Sequence, residues 1–186
     1  MKKVFALILA LAMVLSVSAL AEVEIQTVNW VDVAAKAELK VPGIIDQGEF
    51  VPVGLTGLMM WIPNGLEAKE TIGDAMLCYY ADEDDTYAVT VFLEDVSDEY
   101  DLTDPDGLVA YIRDVLADEV ELGVVNGIFC VGYVLGSEDV QQAVVSYATE
   151  DGNLLSFVIE PVSALDENNL DTLGFALIAS SIMSVE

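Results

Sequence analysis

Hydrophobic and polar positions in this chain follow two periods, and the switches between them mark its elements. From Tyr87 to Leu93, the residues Tyr87, Val89, Val91 and Leu93 alternate with Ala88, Thr90 and Phe92, the period of a strand. AMLCYYA just before it is also strand-like, and the acidic DEDD between the two runs predicts a hairpin. In PDGLVAYIRDVLADEV the period changes. Leu108, Tyr111, Ile112, Val115 and Leu116 recur at helical spacing, with Arg113, Asp114 and Asp118 opposite, which predicts an amphipathic helix.

The same reading extends in both directions. NWVDVAAKAELKVPG reads as a helix with Asn29 as N-cap and Trp30, Val33, Ala34 and Ala37 on one face, stopped by Pro42 and Gly43. GEFVPV and LTGLMMWIPNG are extended runs, the second apolar enough to be buried on both faces and closed by Pro63-Asn64-Gly65. Asn126-Gly127 inside ELGVVNGIFCVGYVL is a hairpin turn, and VQQAVVSYA, TEDGN and LLSFVIEP form another around Asp151-Gly152. A last helix runs from about Glu167 to Met183, with Leu170, Leu173, Leu177, Ile178 and Ile182 on its apolar face. YADEDDTYAVTVFLED and YATEDGNLLSFVIEP each lead into an acidic linker and a helix. Either an internal duplication or the ordinary alternation of a helix-covered sheet produces such a pattern. The expected fold is α+β, a mostly antiparallel sheet of six to eight strands with three helices packed on it as an α/β/α sandwich.

Composition adds an address. Lys2 and Lys3, an apolar run from Val4 to about Val17 and the small-x-small triplet Ala19-Leu20-Ala21 predict a signal peptide over residues 1–21, cut between Ala21 and Glu22. The remaining 22–186 form a single secreted domain. No Cys follows the apolar run to carry a lipid, and no later run is long enough to span a membrane. Loss of two of the six basic residues leaves four against 33 acidic ones, a net charge of −29. A surface this negative repels nucleic acid and anionic membrane alike. Yet 54% of the chain is apolar, which places it well outside the disordered regime.

The order of elements, with FVPV, a WIPNG strand end, VVNGIFCVGY and a last helix ending in ASSIM, resembles the PsbP-like fold family, which includes small exported bacterial proteins. The resemblance covers most of the mature chain. It implies an antiparallel sheet between helices and a binding or accessory role without catalysis. It transfers no binding residues.

Candidate chemistry is narrowed by one absence. The chain has no histidine, which excludes Ser-His-Asp and Cys-His nucleophiles, His-ligated zinc and the usual neutral-pH base. Two cysteines cannot complete a four-Cys metal site, and no phosphate-binding glycine motif occurs. Cys78 and Cys130 are either a disulfide or two buried thiols. A carboxylate-only hydrolase of the glycosidase kind would need two acids about 5–9.5 Å apart across an aromatic-lined cleft. Trp30, Trp61, Tyr79, Tyr80 and Tyr100 are candidate rings, although strand aromatics are usually core.

Calcium is the remaining alternative. Eleven acids and no basic residue lie between Asp82 and Asp106, and Asp82, Asp84, Asp85, Asp98, Glu99 and Asp101 are candidate ligands on one acidic rim if the hairpin turn and the following linker meet. The EF-hand register fails, however. With Gly107 at its sixth place, the first falls on Leu102 and the twelfth on Arg113. Asp104, Pro105 and Asp106 instead read as the capped start of a helix. No dedicated cofactor is expected, only weak binding of divalent cations. The leading expectation is a non-catalytic domain that recognises a protein or cell-surface ligand.

Overall fold

The computed structural model describes residues 25–96, 100–136, 141–160 and 170–184. The predicted signal peptide and its Ala21–Glu22 cleavage site lie outside them. Among the described residues no helix is long and apolar enough to cross a membrane.

The chain is α+β. Its strands are β1 (Gln26–Val28), β2 (Gly48–Pro52), β3 (Leu58–Pro63), β4 (Glu67–Ala68), β5 (Met76–Ala81), β6 (Ala88–Glu94), β7 (Val120–Val125), β8 (Ile128–Gly136), β9 (Gln141–Ala148), β10 (Leu154–Glu160) and β11 (Met183–Ser184). Three α-helices join them: α1 (Trp30–Lys40), α2 (Pro105–Tyr111) and α3 (Leu170–Ser180). Eight strands form one sheet in the order β1-β7-β8-β9-β10-β6-β5-β4, and β11-β3-β2 form a second. The expectation of a single sheet is therefore corrected. All pairings are antiparallel except β1 with β7, where Gln26 lies opposite Gly123.

Strand alternation gives the large sheet two apolar faces, and each has its own cover. Val89, Val91, Val145, Tyr147, Leu155, Phe157 and Ile159 pack against Val33 and Ala37 of α1, Ala176 to Ala179 of α3 and Met60 to Ile62 of β3. Trp61 belongs to this larger core, with Trp30 tilted beside it at 6.1 Å. On the opposite face Val131, Tyr133, Val144 and Leu154 meet Leu102 and, from α2 and its continuation, Leu108 and Ile112. The strand-strand-helix units β5-β6-α2 and β9-β10-α3 thus send their helices to opposite faces.

Local chemistry explains the element ends. Asp104 caps α2, its carboxylate accepting from the Asp106 amide, and Pro105 follows at the first helical position. Gly107 is required there because a Cβ would overlap the carbonyl of Asp101. Past Tyr111 the helix widens into a π-turn, Ile112–Leu116, in which the Ala117 amide reaches back to Ile112. The extra residue turns Val115 off the apolar face, so it is 55% exposed rather than packed as its spacing suggests. The last helix ends at Ser180, three residues before Met183, because Met183 pairs with Met59 as β11. Asn29 occupies the N-cap position of α1 without a side-chain cap bond. The Trp30 amide donates instead to Asn126 Oδ1 at 2.7 Å.

Candidate functional site

The described residues cover the second face of the large sheet only in part. Beside α2 lies an open cleft of about 450 Å³. Its floor is set by small hydroxyl residues where larger apolar side chains would otherwise stand. Ser156 of β10 is opposite Ser146 of β9, and Val144 is opposite both Tyr133 of β8 and Val158. Thr90 of β6 faces Val158 from the other side and Tyr79 of β5 faces Thr90.

The floor residues are linked. The Tyr133 hydroxyl lies 3.0 Å from Ser146 Oγ, which lies 2.8 Å from Ser156 Oγ. Three hydroxyls hold about three protons and six lone pairs, and the two bonds use two of each, so polar capacity is left for a bound group. Burial holds the Tyr133 phenol above its ordinary value, so it stays protonated through neutral pH. Met76, Phe92, Leu116 and Leu135 complete the walls, and the Gln142 amide donates to Glu160 Oε2 at 2.7 Å at one end.

Two carboxylates, Glu94 and Glu160, line this cleft. Glu94 is opposite Leu154, and Glu160 is the last residue of the same strand, β10. Six residues at about 3.4 Å each put the two backbones roughly 20 Å apart, too far for the carboxylates to act on one glycosidic bond. Of the candidate aromatic rings only Tyr79 reaches the cleft. Trp30 packs edge-on against Phe50 at 5.3 Å, Trp61 and Tyr80 belong to the core on the far side, and Tyr100 packs edge-on against Tyr111 at 5.4 Å.

Among the described residues, the acids singled out as metal ligands do not converge. Asp82 is occupied within its own turn, accepting from the Thr86 amide at 2.6 Å, the Thr86 hydroxyl at 2.5 Å and the Tyr87 amide at 3.1 Å. The Thr86 hydroxyl is the main cause that lowers its pKa. Asp85 takes a positive φ of 53° and pairs with Lys69 at 3.8 Å, and Asp84 shares the turn. Asp101 accepts from the Thr103 hydroxyl at 2.6 Å and its amide at 3.1 Å, which lowers its pKa in the same way. Asp98 and Glu99 lie outside the described residues. The turn at Asp82 precedes β6 and Asp101 follows it, so among the described residues a strand of about 20 Å separates the two acidic groups. Among the described residues no group of three or more acids or thiols is placed to hold a metal ion.

The disulfide alternative is also corrected. Cys78 and Cys130 are both free. They sit on β5 and β8, four strand steps apart in the sheet, or about 19 Å against the 7 Å limit of a bridge. Burial pushes the Cys78 thiol up to about 11 and the Cys130 thiol up to about 12. Neither supplies a thiolate near neutral pH. Cys130 borders a small cavity of about 40 Å³ between the sheet and helices α1 and α3, room for about one water. Glu121 also lines it, with Oε2 buried and without a partner, and burial raises its pKa.

The sequence reading missed Tyr133, Ser146, Ser156 and Glu160 as site residues. For Ser146 and Ser156 the signal was present in VSY and LSF, as it was for Thr90 in VTV, where a hydroxyl is buried within an apolar strand. No family model matches this chain, and no curated protein is significantly similar to it.

Proposed function

We propose that this chain is a secreted, non-catalytic binding domain that holds a small ligand, or the protruding group of a cell-surface ligand, in the cleft beside α2. The observation that carries this reading is the open 450 Å³ cleft with a buried hydroxyl floor, since a sheet face built only for stability would be filled with apolar side chains. Its size suits one small molecule. The wide separation of Glu94 and Glu160 and the high thiol pKa values favour binding over catalysis. The likeness to the PsbP-like family, as an α/β/α sandwich with WIPNG and VVNGIFCVGY, points the same way, as does the predicted export signal.

A fragment screen read by backbone amide shifts tests the proposal. Hits should cluster at Thr90, Phe92, Val144 and Ser156 and disappear in Val158→Trp, which fills the cleft. Hits scattered over other surfaces, or unchanged by Val158→Trp, would sink it.

A further inference from the structure

The cleft's sides and ends differ in chemistry, and that difference selects a class of ligand. Its sides are apolar along their length, from Met76 and Phe92 to Leu135 and Val158. Both charged residues that line it are acids, Glu94 towards one end and Glu160 at the other, and the lining holds no Lys or Arg. Each acid also has phenols nearby. Tyr79 lines the cleft together with Glu160, and burial and then the carboxylates of Asp85 and Glu160 raise its hydroxyl. Glu94 acts in the same sense, after burial, on Tyr111 and Tyr133. A carboxylate with an aromatic ring beside it suits an ammonium group, through ion pairing and the negative face of the ring.

We propose that the cleft binds a linear aliphatic di- or polyamine, its methylene chain along the apolar sides and one ammonium at each of Glu94 and Glu160. The roughly 20 Å between the two backbones, less an ion-pair distance of about 2.8 Å at each end, leaves a span that matches a chain of about ten carbons between nitrogens. An internal amine would meet the Thr90 and Ser156 hydroxyls at mid-cleft. Anionic ligands of the same shape are repelled by both ends and by the −27 charge of the chain.

The inference rests on the cleft being the ligand site, so its test separates the two. Decamethylenediamine, decanediol and decanedioate share one chain and differ only in end charge. Each is titrated into the folded protein at fixed ionic strength and followed by calorimetry and amide shifts. The diamine should bind at Thr90, Phe92 and Ser156, with the diol much weaker and the diacid silent. Glu94→Gln and Glu160→Gln should each weaken the diamine about three- to fivefold, the effect of losing one exposed ion pair. Glu49→Gln, on β2 of the other sheet, should leave it unchanged. A diol that binds the same residues as tightly as the diamine overturns the amine assignment and leaves the cleft standing. If no member of the series shifts the cleft amides, the amine assignment falls and the cleft reading is decided by the fragment screen. Equal weakening by Glu49→Gln also overturns the proposal, because it marks diffuse counter-ion binding.

Discussion

The backbone amide of Trp30, at the first residue of α1, donates to the side-chain carbonyl of Asn126, 96 residues further on, at 2.7 Å. The same side chain donates through Nδ2 to the carbonyls of Ser180 and Ile182, each at 2.8 Å. One amide thus caps the start of α1 and holds the end of α3, while its backbone forms the β7–β8 turn at a φ of 48°. Asn126→Gly keeps that backbone conformation and removes the three side-chain bonds. It should cost about 2–4 kcal/mol in the denaturation midpoint at unchanged m-value. Asn126→Asp keeps only the bond to Trp30 and sets a carboxylate against two carbonyls, so it should be no better than glycine.

Gly107 is fixed by close approach rather than by a turn. Any Cβ at that position meets the Asp101 carbonyl. Gly107→Ala should therefore destabilise by about 1–3 kcal/mol, despite the better helix propensity of alanine. A stabilised Gly107→Ala protein would show that the linker does not lie against the helix.

Two sets of carboxylates give opposite pH limbs. Burial raises Glu121 above its ordinary 4.5, so its contribution is complete below that value and is lost as the pH rises through the folded-state pKa. Glu38 is lowered by the amides of Ile45 and Gly43, and its contribution is complete above 4.5 and lost as the pH falls through its folded value. Urea midpoints measured across pH should show Glu121→Gln losing less stability than the parent as the pH rises above 4.5. Glu38→Gln should flatten only the acid side. A parallel pair of curves for Glu121→Gln and the parent would contradict the assignment.

The acids of the Asp82 turn and of the Asp101 linker are held by Thr86 and Thr103 and do not meet. Millimolar calcium should raise the melting temperature no more than sodium at matched ionic strength, both acting by screening the negative surface. A calcium-specific increase that Asp82→Asn or Asp101→Asn abolishes would restore a metal role to these turns.

Unreduced protein unfolded in guanidinium should release two thiols to a colorimetric thiol reagent, and the folded protein should react slowly, Cys130 last. Detection of none after unfolding would mean that the cysteines are bridged.

Elements with their own local signal were legible in the sequence. Asn126-Gly127 and Asp151-Gly152 mark hairpins by their need for positive φ, met at 48°, 85° and 80° for Asn126, Gly127 and Gly152. Asp104-Pro105 marks a helix start. β1 was not legible, because three residues, Gln26 to Val28, gain their conformation only by pairing with β7, nearly a hundred positions away. β11 failed for the same reason, since Met183 and Ser184 are extended only because Met59 and Leu58 lie alongside. The site was least visible of all. Ser146 and Ser156 become neighbours through register, and an isolated serine in an apolar strand carries no sign of which others share its face.

The bonds of Asn126 also order events in time. They join a helix that begins at Trp30, a turn in the second half of the chain and the end of the last helix with the residue two places beyond it. α1 therefore lacks its cap until Asn126 has been made, and the larger core lacks Leu177, Ile178 and Ile182 until α3 and the residues after it follow. Such long-range closure slows folding.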